Sequence, residues 1–332
     1  MKKLVAALAM SIAVVWYLMV SVDQGSANAT NSLTIAVSAT PLSSPIILAE
    51  KKGFFKKHGL KVQLKLLQGG HRCFDALIKN EADLATSSES VVMYNAFKRN
   101  DFSVIASFTT SDNDVKIIVR KDSGITSLTD ISGHSVGMVK GTASEYFFNS
   151  ALLLNGVDNA LISARFMAPE ELGQALLDKQ LDAVSLWEPY ASELMKSLNN
   201  NGHQLSTKGL YRLSFNLLSM RADVLGKQET HVRVLKALDE AVASIFSNPD
   251  EARQLVSDYL NVPLTEIEGY WTDYHFHLGL DKTLQLELLS QAHWAIDSGY
   301  VDQSQAPDFR DFIDKSALNQ IRDTFRTHGG EP

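Results

Sequence analysis

Two short stretches place hydroxyls and backbone N–H groups where a chain can grip a small anion. Thr86-Ser87-Ser88-Glu89-Ser90 follows a short apolar run and precedes the helical run Val91-Val92-Met93-Tyr94. Gly141-Thr142-Ala143-Ser144-Glu145 repeats the arrangement further along the chain. A helix start carries unpaired N–H groups and the positive end of the helix dipole, so it favours negative charge. An ordinary Ser N-cap needs only one hydroxyl, and the extra ones favour a ligand role for Ser87 and Ser88. In the second stretch Glu145 follows Thr142 by three, the spacing of a capping box. That spacing explains both residues and still leaves the N–H groups near Gly141, Thr142 and Ser144 open to an anion.

Other candidates lie at the ends of expected strands. Thr40 follows the run Leu33-Thr34-Ile35-Ala36-Val37, Gly70 closes Gln68-Gly69-Gly70, and Thr109 ends the run from Phe102 to Phe108. Trp187-Glu188-Pro189 ends another strand; Trp187 offers an apolar or stacking wall, and Glu188 a hold for a cationic or amide-donor end. The cluster Asp112-Asn113-Asp114 is the alternative hold for that end, with solvated loop charge the preferred reading. His275, His277 and His293 invite a metal reading, but a spacing of two does not share a helix face, and no Cys or carboxylate frame accompanies them. No metal and no cofactor are expected. No nucleophile–base pairing, Walker loop or dinucleotide Gly pattern can be quoted, so an enzyme is not expected.

The elements that position these residues show an internal repeat. Ala76-Leu77-Ile78-Lys79-Asn80-Glu81-Ala82-Asp83 aligns with Ala175-Leu176-Leu177-Asp178-Lys179-Gln180-Leu181-Asp182. Each copy reads as a helix end, a polar turn closed by Asp, then a short apolar strand. Upstream, Leu33–Val37 and Ser135–Val139 each lead into a helical run ending at a glycine, Gly59 and Gly156, followed by a further strand. Strand, helix, strand, helix, strand twice over predicts two α/β units, each a parallel sheet covered by helices.

With 332 residues, 45% hydrophobic and 21% charged, the chain is long enough for two such units. The net charge of −7 and the lack of a basic run argue against nucleic acid as a partner. Met1-Lys2-Lys3, the apolar run Leu4 to Val20 and the small residues of Ala27-Asn28-Ala29 predict an export signal cleaved after Ala29. An uncleaved membrane anchor is the rival reading. Cys73 is the only cysteine, so no internal disulfide can form, and a buried helix position is expected for it.

Taken together, Ala49-Glu50-Lys51-Lys52-Gly53-Phe54-Phe55-Lys56-Lys57-His58-Gly59-Leu60, the Ala82-Asp83-Leu84-Ala85 turn, the Gly124 to Gly137 run, Gly141-Thr142 and Trp187-Glu188-Pro189-Tyr190 resemble the periplasmic solute-binding proteins of the nitrate/sulfonate/taurine group of ABC transporters. Thiamine-pyrimidine-binding proteins are relatives of that group. The resemblance implies the two-lobed type II periplasmic binding protein fold, with a ligand cleft between the lobes. It implies a first lobe from 30–118, a second from 119–217, and a return of 218–332 to the first. Leu213 to Asp223 becomes the return strand, which brings Asn216 towards the cleft, and the remainder of the chain reads as helical. The implied partners are a small anionic or zwitterionic solute and the transporter's permease and ATPase subunits, and a monomer is expected.

Overall fold

The computed structural model describes residues 31–328. The expected leader, residues 1–29, lies outside the described residues. Eleven strands among them form two sheets. In chain order these are β1 (Asn31–Ser38), β2 (Leu60–Leu67), β3 (Leu84–Ser88), β4 (Phe102–Ser111), β5 (Val115–Arg120), β6 (Ser135–Met138), β7 (Ser163–Phe166), β8 (Ala183–Trp187), β9 (Gly202–Gln204), β10 (Leu213–Met220) and β11 (Tyr274–Gly279). The first sheet runs β11-β4-β10-β3-β1-β2 and the second β7-β6-β8-β5-β9.

The repeat governs both sheets. β1 lies parallel between β2 and β3, and β6 lies parallel between β7 and β8. In each sheet an antiparallel strand then flanks the third member: β10 beside β3, β5 beside β8. The two aspartates of the sequence repeat perform one task. Asp83 Oδ2 accepts from Thr34 N at 2.9 Å, and Asp182 Oδ2 accepts from Ser135 N at 3.0 Å. In return each Asp N–H donates to the carbonyl of the residue it holds, at 2.9 Å in both copies. Asn80 and Lys179, equivalent in the repeat, both take positive φ, 56° and 61°. The left-handed turn that swings the helix end into the strand is thus preserved without a glycine at either position.

The chain passes between the sheets twice, between β4 and β5 and between β9 and β10. The expected boundaries after residues 118 and 217 fall inside β5 and β10. Each of these strands belongs wholly to one sheet, so the crossings are the loops 112–114 and 205–212.

Helices cover the sheets as their apolar spacing dictates. Helix Gln228–Ser247 buries the predicted stripe Val232, Leu235, Leu238, Val242 and Ile245. It packs on helices Ser44–Lys51 and Ser316–His328, while Lys282–Asp297 packs on Glu89–Ala96. Tyr274–Gly279 departs from the helical expectation. Tyr274 and Phe276 are buried and His275 is exposed, a period-two pattern in an aromatic-rich segment that suits a sheet edge. The strand puts His275 and His277 on one face after all, but His277 Nδ1 meets the His275 carbonyl at 3.1 Å. Among the described residues no group of three His, Cys, Asp or Glu is placed to hold a metal. No described helix is long and apolar enough to cross a membrane.

Candidate functional site

A small pocket opens between the sheets. The end of β1 and the turn after it supply Ser38, Thr40 and Leu42. The start of helix Gly70–Ile78 supplies Gly70 and His71, and Ser88 and Val91 come from the start of helix Glu89–Ala96. From the other sheet come Thr142 and Ala143, at the start of helix Ala143–Leu154, and Trp187 at the end of β8. Asp114 in the first crossing and Leu213 and Phe215 on β10 complete the wall.

Three helices thus begin at one pocket, from both lobes. Among the described residues the wall holds no Lys or Arg, so positive potential must come from these N-termini and their N–H groups. Ser88 stands at the N-cap of its helix, yet its side chain makes no capping hydrogen bond. Thr40 accepts from Leu42 N at 3.4 Å, which leaves its hydroxyl proton to donate elsewhere. Burial lowers the pKa of His71, and its Nδ1 has no partner among the described residues, so it presents a neutral imidazole.

Asp114 is the one carboxylate of the described wall and is 1% exposed. Burial raises its pKa from 3.8 to about 7, against the pull of Lys116. Its Oδ1 accepts from the Tyr274 hydroxyl at 2.9 Å, and its Oδ2 has no partner among the described residues. The acidic cluster is therefore not simply solvated loop charge; Asp114 is enclosed because β11 lies over it.

The rim joins the lobes. Arg72 pairs with Glu170 at 2.8 Å, and the Tyr190 hydroxyl donates to Gln68 Oε1 at 2.6 Å. Trp187 lies so close over Gly69 that a Cβ there would sit 3.3 Å from its ring.

Of the expected site residues, the structure brings together Thr40, Gly70, Ser88, Thr142 and Trp187 at this pocket. Glu188 is placed elsewhere. Strand alternation turns it away from Trp187, and its carboxylate pairs with buried Lys116 and accepts from Ser192 N at 3.0 Å and Ser192 Oγ at 2.9 Å. Asn216 faces the side of β10 opposite Leu213 and Phe215, where it accepts from Ser107 and Ser214. The hydroxyl of Thr109 donates to the Leu42 carbonyl at 2.8 Å and so steadies the turn behind the pocket. Ser144 and Ser185 exchange hydroxyl-to-carbonyl bonds at 2.7 and 2.9 Å, which ties the helix start to β8. Gly141 sits outside the wall and donates its N–H to Glu145 at 2.6 Å. Ser87 lies directly beneath Gly70, its hydroxyl buried and unpartnered among the described residues. Thr142 reaches the wall, but its hydroxyl is occupied: it donates to the Val139 carbonyl at 2.7 Å and caps Ser144 N at 3.2 Å. Cys73 is buried on its helix, and burial pushes its thiol up to about 12, which removes it from thiolate chemistry.

Sequence reasoning set Asp114 aside as loop charge and did not single out Ser38, His71 or the β10 pair Leu213 and Phe215. For His71 the signal was present, since it directly follows the Gly69-Gly70 pair.

Two α/β lobes, two crossings and a pocket walled by helix starts from both sides define the periplasmic binding protein fold. Residues 40–252, well over half of the chain, match the family described as "NMT1/THI5 like", and the chain belongs to that family. The "Putative aliphatic sulfonates-binding protein" of Bacillus subtilis (strain 168) is 27% identical over 235 residues, 68% of this chain and 69% of that protein. Among solved structures, the periplasmic aliphatic sulphonate binding protein SsuA from Escherichia coli superposes with a TM-score of 0.73 at 19% identity, over 86% of this chain and 92% of that one. The periplasmic nitrate-binding protein NrtA from Synechocystis PCC 6803 superposes at 0.72 and 15%, over 90% of each. These structures share the fold.

Proposed function

We propose that this chain is the extracytoplasmic solute-binding component of an ABC importer and that its interlobe pocket receives a small oxyanion-bearing solute. It is a binding protein, not an enzyme, and it delivers its solute to permease and ATPase subunits. The observation that carries the ligand reading is the convergence of three helix N-termini and free hydroxyl capacity on a pocket whose described wall lacks a Lys or Arg. Fixed dipoles of this kind hold sulfonate or nitrate oxygens through N–H donors. The names of the relatives agree with that class of solute. The division into lobes at the two crossings, a monomeric state and a mature chain beginning near Thr30 in the periplasm belong to the same reading. Support for the export signal is the pattern of Lys2-Lys3, an apolar run and Ala27-Asn28-Ala29.

The test is a thermal-shift screen with nitrate, ethanesulfonate, taurine and a hydroxymethyl-aminopyrimidine. A ligand at 100 times its Kd stabilises the folded state by about 2.7 kcal/mol. A rise in Tm with at least one oxyanion is expected. A rise with the pyrimidine alone would overturn the reading.

A further inference from the structure

We propose that a cleft behind the two crossings is a second ligand site, one that takes a small organic cation. It lies apart from the interlobe pocket: Asn113 and Glu188 line it, whereas their chain neighbours Asp114 and Trp187 line that pocket. Its walls come from both lobes, a common setting for small-molecule sites. The site stands whether or not the interlobe pocket takes an oxyanion.

Two short helices wall the cleft. Helix Leu264–Trp271 presents Glu266, Gly269 and Tyr270, which lie three and four residues apart and so share a face. Helix Tyr190–Leu198 presents Ala191, Ser192 and Met195 from the other lobe. The cleft has room at Gly269, where an added Cβ meets no atom within 4 Å. Most polar groups here are already matched. Glu188 holds Lys116 and both donors of Ser192, and Asp273 accepts from Lys208 at 2.7 Å and from Asn113 at 2.8 Å. Glu266 and Tyr270 are the exceptions. The Glu266 carboxylate is buried, with Oε1 paired to Lys196 and Oε2 without a partner among the described residues. The Tyr270 hydroxyl, one turn on, is buried and unpartnered in the same way.

An acceptor without a donor sets the ligand's hydrogen bonding, and the surrounding charge sets its sign. Lys196 compensates Glu266 poorly, because its side chain is 59% exposed against 6% for Glu266, and water screens the exposed partner. A buried carboxylate with one oxygen unmet gains from a further donor, and most from a charged one. Burial raises the pKa of Tyr270, and the charges that raise it further, those of Glu188, Glu266, Asp114 and Glu193, are all negative. Among the described residues these carboxylates do not group to ligate a metal. An alkylammonium meets the requirement. Its N–H groups donate to Glu266 Oε2 and the Tyr270 oxygen, and Met195 and Ala191 offer apolar surface to its chain.

Butylammonium and butan-1-ol share a chain and differ in charge, and calorimetric titration of both at neutral pH tests the site. The wild-type chain is expected to bind butylammonium at least tenfold more tightly than butan-1-ol. Glu266→Gln is expected to weaken butylammonium binding at least tenfold, and Gly269→Leu to do so by filling the cleft without removing a charge. Asp114→Asn, a change in the other pocket, is expected to leave it within about threefold. Equal binding of the two compounds, or binding of neither, overturns the proposal. Loss of butylammonium binding in Asp114→Asn with retention in Glu266→Gln overturns it too, because the amine then sits in the interlobe pocket. The oxyanion screen reads a different cavity, so neither result decides the other. The wild-type comparison and Gly269→Leu decide the matter even where Glu266→Gln does not fold.

Discussion

Replacing Gly70 with alanine tests whether the helix start at the pocket is held by close packing on β3. A Cβ on Gly70 would lie 2.8 Å from Ser87 Oγ, 2.9 Å from Ser87 Cα and 3.3 Å from Ser87 Cβ. Ser87 cannot retreat, because its strand is paired with β10 at Asn216. The helix must therefore move, and with it the N–H groups that face the pocket. Overpacking of this kind costs about 1–3 kcal/mol, against a gain of at most about 1 kcal/mol for exchanging Gly for Ala in a helix. The net expectation is a loss of roughly 1–2 kcal/mol in urea unfolding. Loss of one hydrogen bond to a charged ligand, about 1.5–3 kcal/mol, should weaken binding roughly 10- to 100-fold in calorimetry. Gly269→Ala is the control. Nothing lies within 4 Å of its added Cβ, so the same change should be neutral or stabilising there. Combining Gly70→Ala with Ser87→Ala relieves the clash with the Ser87 hydroxyl but not the clash with the backbone beneath it, so recovery should be partial. A Gly70→Ala chain as stable as wild type and with unchanged affinity would refute the packing argument.

Three further outcomes are expected. Lys116→Met, which leaves Glu188 buried without its cation, should cost about 3–5 kcal/mol, whereas Lys116→Met with Glu188→Leu should recover much of that loss; equal stability of the two variants in denaturant melts would contradict a buried pair. Asp114 has a folded pKa raised to about 7 from 3.8, so the folded state binds the extra proton and stability falls as pH rises through that interval. Between pH 5 and pH 8 this group should account for about 3 kcal/mol, and Asp114→Asn should flatten that part of the urea-melt profile; an unaltered slope counts against the burial argument. Solution scattering should show ligand-dependent shrinkage in the wild type and a smaller response in Trp187→Ala, because Trp187 forms the second lobe's side of the closure. A radius of gyration that ignores saturating taurine or nitrate would favour a rigid molecule.

The repeat was legible because it rests on local rules: a helix end, a turn and an Asp that clamps a neighbouring strand. Asp83 and Asp182 announced both sheets from their spacing alone. Trp187 was legible for the same reason, as the last residue of a strand at a sheet's carboxyl edge. Glu188 misled because one step along a strand reverses the facing direction, and adjacent residues therefore serve opposite surfaces. Asp114 was the deeper failure. Its enclosure depends on Tyr274, far along the chain, and the Tyr274–Gly279 segment reads as helical once its neighbours are helices. Without that strand the Tyr274 hydroxyl is missing from Asp114, and its burial cannot be anticipated. Thr142 shows a third limit: spacing placed the N-cap but not its bonds, since Glu145 accepts from Gly141 N rather than from Thr142 N, and the one proton of the Thr142 hydroxyl is committed to the Val139 carbonyl.

The place of β10 between β3 and β4 has a consequence for biosynthesis. The second sheet is made from one uninterrupted stretch, β5 to β9, and can close as soon as that stretch has emerged. The first sheet cannot. Until β10 arrives, β3 and β4 lack the strand that joins them, and each exposes a ladder edge open to another chain. The part synthesised first is therefore completed last, after loops long enough to slow its closure. Chaperone dependence and aggregation during synthesis should accordingly concentrate on the interval between the emergence of β4 and the arrival of β10.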